Sequence, residues 1–152
     1  MDQAAKLREL LEVKVGSNIF RVITVSSGKG GVGKSNFVVN LALSLTQKGK
    51  RVAILDADFG MANVDILLGV KSPYNISDIL LGVKSPYNIS DILLRGKSIL
   101  DIIVETKEGI KIIPGGSGIS KLSNLSKEEE DIVIAEFDKL TDIDILIIDT
   151  GA

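Results

Sequence analysis

The residues best suited to chemistry lie in one run, Ser26-Ser27-Gly28-Lys29-Gly30-Gly31-Val32-Gly33-Lys34-Ser35. Gly28, Gly33, Lys34 and Ser35 meet the spacing G-x-x-x-x-G-K-[ST], a loop that wraps phosphate groups. Glycines let consecutive backbone N–H groups turn inward, and a helix that follows aims its positive end at the anion. Lys34 is placed to reach the β- and γ-phosphates of a nucleotide, and the Ser35 hydroxyl to bind Mg²⁺. Three carboxylates are candidates to complete the site: Asp149 to hold Mg²⁺, Asp58 to position or deprotonate an attacking water, and Asp56 to support Mg²⁺ or Lys34. Phosphoryl transfer to water needs all of these parts: a cradle, a metal, an oriented water and stabilisation of developing charge. Lys29, a second lysine inside the loop, exceeds what the pattern requires; on spacing alone it is an added positive charge.

These residues need elements to carry them. Leu7, Leu10 and Leu11 fall at helical spacing and predict a helix over residues 1–14, broken by Gly16, Ser17 and Asn18. Arg21–Ser26 holds the β-branched run Val22-Ile23-Thr24-Val25, which reads as a buried strand. Val38, Leu41, Ala42 and Leu45 form the stripe of a helix that Gly49 ends. Val52–Leu55 predicts a second strand running into Asp56-Ala57-Asp58, and Ile110–Ile113 a third before Pro114. Ser126 and Glu129 make a capping box that opens a helix to about Leu140, and Ile143–Ile148 is the fourth strand, ending at Asp149. Continuously apolar strands alternating with helices imply an α/β fold, a mostly parallel sheet with helices on both faces. In such sheets ligands sit at the carboxyl ends of the strands. The loop, Asp56, Asp58 and Asp149 all fall there.

Composition narrows the function classes. The 152 residues carry a net charge of −2 and a pI near 5.2, which gives no overall electrostatic reason to bind nucleic acid. There is no cysteine and no histidine, so disulfides, thiolate metal sites and iron–sulfur ligands are excluded from this stretch. Acid–base work falls to carboxylates, lysines or backbone. The N-terminus lacks the layout of a signal peptide and no apolar run is long enough to span a bilayer, so a cytoplasmic location is the default.

One feature stands apart. Leu67–Ile79 recurs unchanged as Leu80–Ile92. Solenoid repeats diverge and need several copies to bury a core, so an identical tandem pair marks an in-frame duplication or an error of sequence assembly. Each copy has its own breakers (Gly69 and Pro73, Gly82 and Pro86) and its own helix start (Asn75, Asn88). An extra copy can therefore loop out at modest closure cost.

The run from Gly28 to Ser35 resembles the deviant Walker A motif of the MinD/ParA ATPases, and Asp56-Ala57-Asp58-Phe59-Gly60 resembles their switch I. Asp149 matches their Walker B acid. The resemblance implies a P-loop NTPase domain over residues 20–152 that binds ATP and Mg²⁺ through Gly28, Lys29, Gly30, Gly31, Val32, Gly33, Lys34 and Ser35. It implies an ATP-dependent homodimer in which Lys29 reaches the partner's phosphates. Within the family the chain is most similar to the flagellar-number regulators called FlhG, FleN or YlxH. Asp2-Gln3-Ala4-Ala5-Lys6-Leu7-Arg8 is similar to their N-terminal activator motif, and Ile112–Gly118 and Ile148–Ala152 to their strand-end loops. This implies an activator helix over residues 1–15, with Gln3, Leu7 and Arg8 contacting an FlhF-type GTPase. On physics alone a helix packed on the domain competes with that reading. MinD-like division-site and ParA-like partition roles are the alternatives within the family, and an inactive partner-binding module is the alternative outside the enzymes. The family continues past the fourth strand, where this chain stops, to a C-terminal amphipathic helix; peripheral membrane contact is expected only through that helix.

Overall fold

The computed structural model describes residues 5–14, 20–29, 33–57, 87–115 and 122–150. Among the described residues five strands form one sheet in the order β1-β5-β2-β4-β3. They are β1 (Arg21–Val25), β2 (Val52–Ala57), β3 (Val104–Glu105), β4 (Lys111–Pro114) and β5 (Ile145–Thr150). Strands β1, β5, β2 and β4 run parallel, and only the two-residue β3 is antiparallel, against β4. The helices are α1 (Ala5–Lys14), α2 (Lys34–Gln47), α3 (Asp91–Arg95), α4 (Ile99–Ile102) and α5 (Lys127–Phe137).

Alternation along each strand divides the core in two. Val52 and Ile54 of β2, Ile147 of β5 and Ile112 of β4 face Val38, Val39 and Ala42 of α2. Ala53, Leu55 and Ala57, with Leu146 and Ile148, face Leu7 and Leu11 of α1, Ile92 of α3, and Val133 and Phe137 of α5. The sheet is thus covered on both faces, as its continuous apolar strands require.

The capping box at the start of α5 is formed: the Ser126 hydroxyl accepts from Glu129 N–H, and the Glu129 carboxylate accepts from Ser126 N–H at 2.8 Å. Three boundaries shift from the sequence expectation. Helix α5 ends at Phe137 rather than near Leu140. Strand β4 begins at Lys111, because Ile110 N–H is held in a turn by the Thr106 hydroxyl. Strand β5 runs from Ile145 to Thr150, which puts Asp149 inside the strand instead of just after it. The opening of β5 is set from outside: Asp144 and Ile145 N–H groups both donate to the Arg51 carbonyl at the foot of β2. Strand β3 carries no sequence signature, being defined only by its pairing.

Candidate functional site

The phosphate loop leaves the carboxyl end of β1 and re-enters regular structure at Gly33, the residue before α2. Gly33 has φ +86°, a left-handed conformation that glycine adopts without steric cost. No side chain caps the helix there, and its first turn contains no acidic residue. The helix dipole of α2 therefore favours negative charge at this end. Before the gap in the described loop, Ser27 donates its hydroxyl to the Lys29 carbonyl at 2.8 Å. That bond ties down the peptide of Lys29, while the Lys29 residue itself is exposed.

Asp149 is the centre of the cluster. It is fully buried in β5. The Ser35 hydroxyl donates to its Oδ2 at 2.9 Å, and the Lys34 ammonium lies 3.8 Å from its Oδ1. Lys34 is almost as buried, with its side chain 8% exposed. A hydroxyl and a carboxylate in contact are hard oxygen donors of the kind Mg²⁺ takes, and Lys34 supplies the cation that a phosphate needs. The donor set therefore fits Mg²⁺ and a nucleotide phosphate. Among the described residues no cluster of three or more Asp or Glu side chains could form an all-protein metal cage.

Strand register brings in Asp56. It lies directly opposite Asp149 in the parallel pair of β2 and β5, so both carboxylates emerge on the α2 side of the sheet. Asp56 also opposes Pro114, and its carbonyl accepts from Gly115 N–H at 3.1 Å, which joins the ends of β2 and β4.

The structure thus assembles Lys34, Ser35, Asp149 and Asp56, with Gly28 and Lys29 at the mouth of the loop. Gly30, Gly31, Val32 and Asp58 lie outside the described residues, as does Gln3. Of the other residues assigned to partner binding, Leu7 is fully buried between α1 and the sheet, where it holds the helix on the domain. Arg8 is half-buried. Sequence reasoning missed Thr150. It is fully buried, and its hydroxyl donates to the Val25 carbonyl at 3.0 Å, fastening the end of β5 to the residue where the loop begins. A threonine at a strand end carries no signal for such a bond, because its partner is 125 residues away.

The chain is similar to several known proteins. Over 159 aligned residues the chain is 37% identical to the flagellum site-determining protein YlxH of Helicobacter pylori, covering 99% of this chain and 49% of that protein. It is 40% identical over 133 residues to the antiactivator FleN of Pseudomonas aeruginosa, covering 87% of this chain and 43% of that protein. The chain therefore spans about half the length of these relatives. Its fold superposes on cobyrinic acid a,c-diamide synthase of Mycobacterium smegmatis, solved with an ATP analogue and magnesium. The TM-score is 0.57 at 27% identity, over 86% of this chain and 50% of that one. Residues 18–150 match the family model ParA, described as NUBPL iron-transfer P-loop NTPase. With that match across most of its length, the chain belongs to the ParA family of P-loop NTPases.

Proposed function

We propose that the chain forms the nucleotide-binding part of a Mg²⁺-dependent ATPase that acts as a dimerising switch in the control of flagellar number and placement. The observation that carries the reading is the buried contact of Ser35, Lys34 and Asp149 at the carboxyl ends of the strands. In this proposal Lys34 and the first turn of α2 bind the phosphates of ATP. Ser35 and Asp149 would hold Mg²⁺, whose charge would stabilise the negative charge of a phosphoryl group in transfer. Asp56 supports the metal or Lys34 from the neighbouring strand. Asp58 orients the attacking water. Lys29, exposed at the loop mouth, reaches the phosphates of a second copy.

The flagellar assignment is supported by the similarity to YlxH and FleN across most of this chain. In this reading the N-terminal segment stimulates an FlhF-type GTPase through Gln3 and Arg8, with Leu7 anchoring the helix.

The test is ATP turnover by the chain together with stimulation of an FlhF-type GTPase. Turnover that requires Mg²⁺ and falls at least tenfold in Lys29→Ala is the expected result, as is stimulation lost in Gln3→Ala. No turnover with stimulation intact would replace the enzyme with a partner-binding module. Stimulation indifferent to Gln3→Ala would remove the flagellar role of the N-terminus.

A further inference from the structure

Part of one unit of the tandem repeat is built into the core. Ile89 and Ile92 are buried against the sheet and α5. Asn88 opens the turn before α3: its N–H donates to Asp91 Oδ2 at 2.8 Å, and its Oδ1 accepts from Ser90 N–H at 2.9 Å. Ile89 N–H donates to the Pro114 carbonyl at 2.9 Å, tying the unit to the end of β4. The Lys97 ammonium lies 4.5 Å from the centre of the Tyr87 ring. Gly96 closes α3 at φ +62°.

Thirteen positions earlier the sequence offers the same parts in the same order: Tyr74, Asn75, Ile76, Ser77, Asp78, Ile79, Leu80, Leu81 and Lys84. Each side chain of the contacts just described has a sequence counterpart there, apart from the glycine that closes α3. Only two positions differ, Gly82 in place of Arg95 and Val83 in place of Gly96. We propose that Tyr74–Lys84 competes with Tyr87–Lys97 for this slot, so that the chain has two registers 13 residues apart, and that Gly96 sets the balance between them.

The bias follows from the two differences and from chain length. A valine forced to the φ of +62° that Gly96 adopts disfavours the shifted register roughly five- to thirtyfold. Losing the Arg95–Asp91 ion pair, 3.3 Å at i,i+4, costs it about twofold more. In the described register residues 58–86 connect β2 to the slot; in the shifted one residues 58–73 do so, which returns about twofold. The 13 residues from Ser85 to Lys97 must then loop out before Ser98, a closure worth roughly fiftyfold. The described register is favoured on the order of 10²- to 10³-fold, a gap small enough to be nearly closed by design. The connection that changes length begins at Asp58, so the register also sets how much chain separates that carboxylate from the body of the domain.

The experiment exchanges the strain. Val83→Gly combined with Gly96→Val moves the penalty from one register to the other and brings them within about tenfold. The chain has two tyrosines, one in each unit, so ¹³C-tyrosine NMR reports both. The unaltered chain is expected to give one signal set per tyrosine. The exchanged chain gives two, which Tyr74→Phe assigns. As a control, the chain lacking Leu67–Ile79 and carrying Gly96→Val must give a single set and lose roughly five- to thirtyfold in folding equilibrium. A single set per tyrosine in the exchanged chain, with the same loss as the control, would overturn the proposal. Doubling confined to the exchanged chain establishes it.

Discussion

Replacing Asp149 by asparagine separates the two tasks assigned to that carboxylate. Asparagine retains an oxygen for the Ser35 hydroxyl, which now donates at 2.9 Å, but removes the charge 3.8 Å from the Lys34 ammonium. Two unit charges at that separation attract by about 4 kcal/mol at an effective dielectric of 20. With side-chain exposures of 8% and 0%, solvent screens this pair little. Removing one partner of a buried pair costs about 3–5 kcal/mol, and the 3.8 Å gap, longer than a hydrogen bond, puts this case near or just below the lower end. Asp149→Asn is therefore expected to lose about 2–3 kcal/mol of stability without nucleotide, read as a lower urea midpoint at unchanged m-value. Nucleotide should act on the two tasks differently. A phosphate gives Lys34 a new counter-charge, so affinity for Mg²⁺-free ADP is kept or improved. The gain in affinity that Mg²⁺ confers should shrink roughly tenfold or more, because the carboxylate that orients the metal shell is gone. Titrating fluorescent ADP with and without Mg²⁺ measures both. Unchanged stability with an intact Mg²⁺ increment would refute the placement of Asp149 as counter-ion and metal holder.

Two further outcomes follow from packing and charge. Leu7→Ala should cost about 2–4 kcal/mol, since a fully buried leucine leaves a cavity between α1 and the sheet; unchanged thermal stability with loss of GTPase stimulation would instead make Leu7 a partner contact. Asp144 is held down to about 2 by hydrogen bonds from the Arg51 guanidinium and the Arg51 N–H, against the opposing effect of desolvation. A depressed carboxylate stabilises the fold above its unfolded value, near pH 4, and that contribution is lost as pH falls toward 2. Arg51→Ala should raise the Asp144 value, seen by NMR titration, and flatten this part of the acid limb; an unmoved carboxyl would assign the shift to the backbone N–H alone.

The local features were legible because they depend on neighbours in sequence. The apolar stripe of α2, the capping box of Ser126 and Glu129, the β-branched runs of β1, β2 and β5, and the G-x-x-x-x-G-K-S spacing each reside within a dozen or so residues. The strand-end position of Asp149 was nearly right for the same reason, displaced only because pairing with Asp56 and Ala57 of β2 carries β5 on to Thr150. Strand β3 had no local pattern and exists through Ile112 and Lys111 of β4.

By itself the sequence determined that a phosphate loop would stand between a buried strand and an amphipathic helix, with carboxylates at the ends of later strands. It also held two segments, Tyr74–Lys84 and Tyr87–Lys97, that differ at only two positions. Tertiary structure decided what depends on pairing across long separations. Register set Asp56 beside Asp149, parallel packing brought Ser35 and Lys34 onto that buried carboxylate, and Thr150 was turned to fasten the start of the loop. The same packing buried Leu7 in the core. It also seated the second unit of the repeat, where a glycine at positive φ closes a helix that valine would strain. Spacing along a chain prescribes which side chains share a face; only the meeting of two faces prescribes which charges and hydroxyls touch.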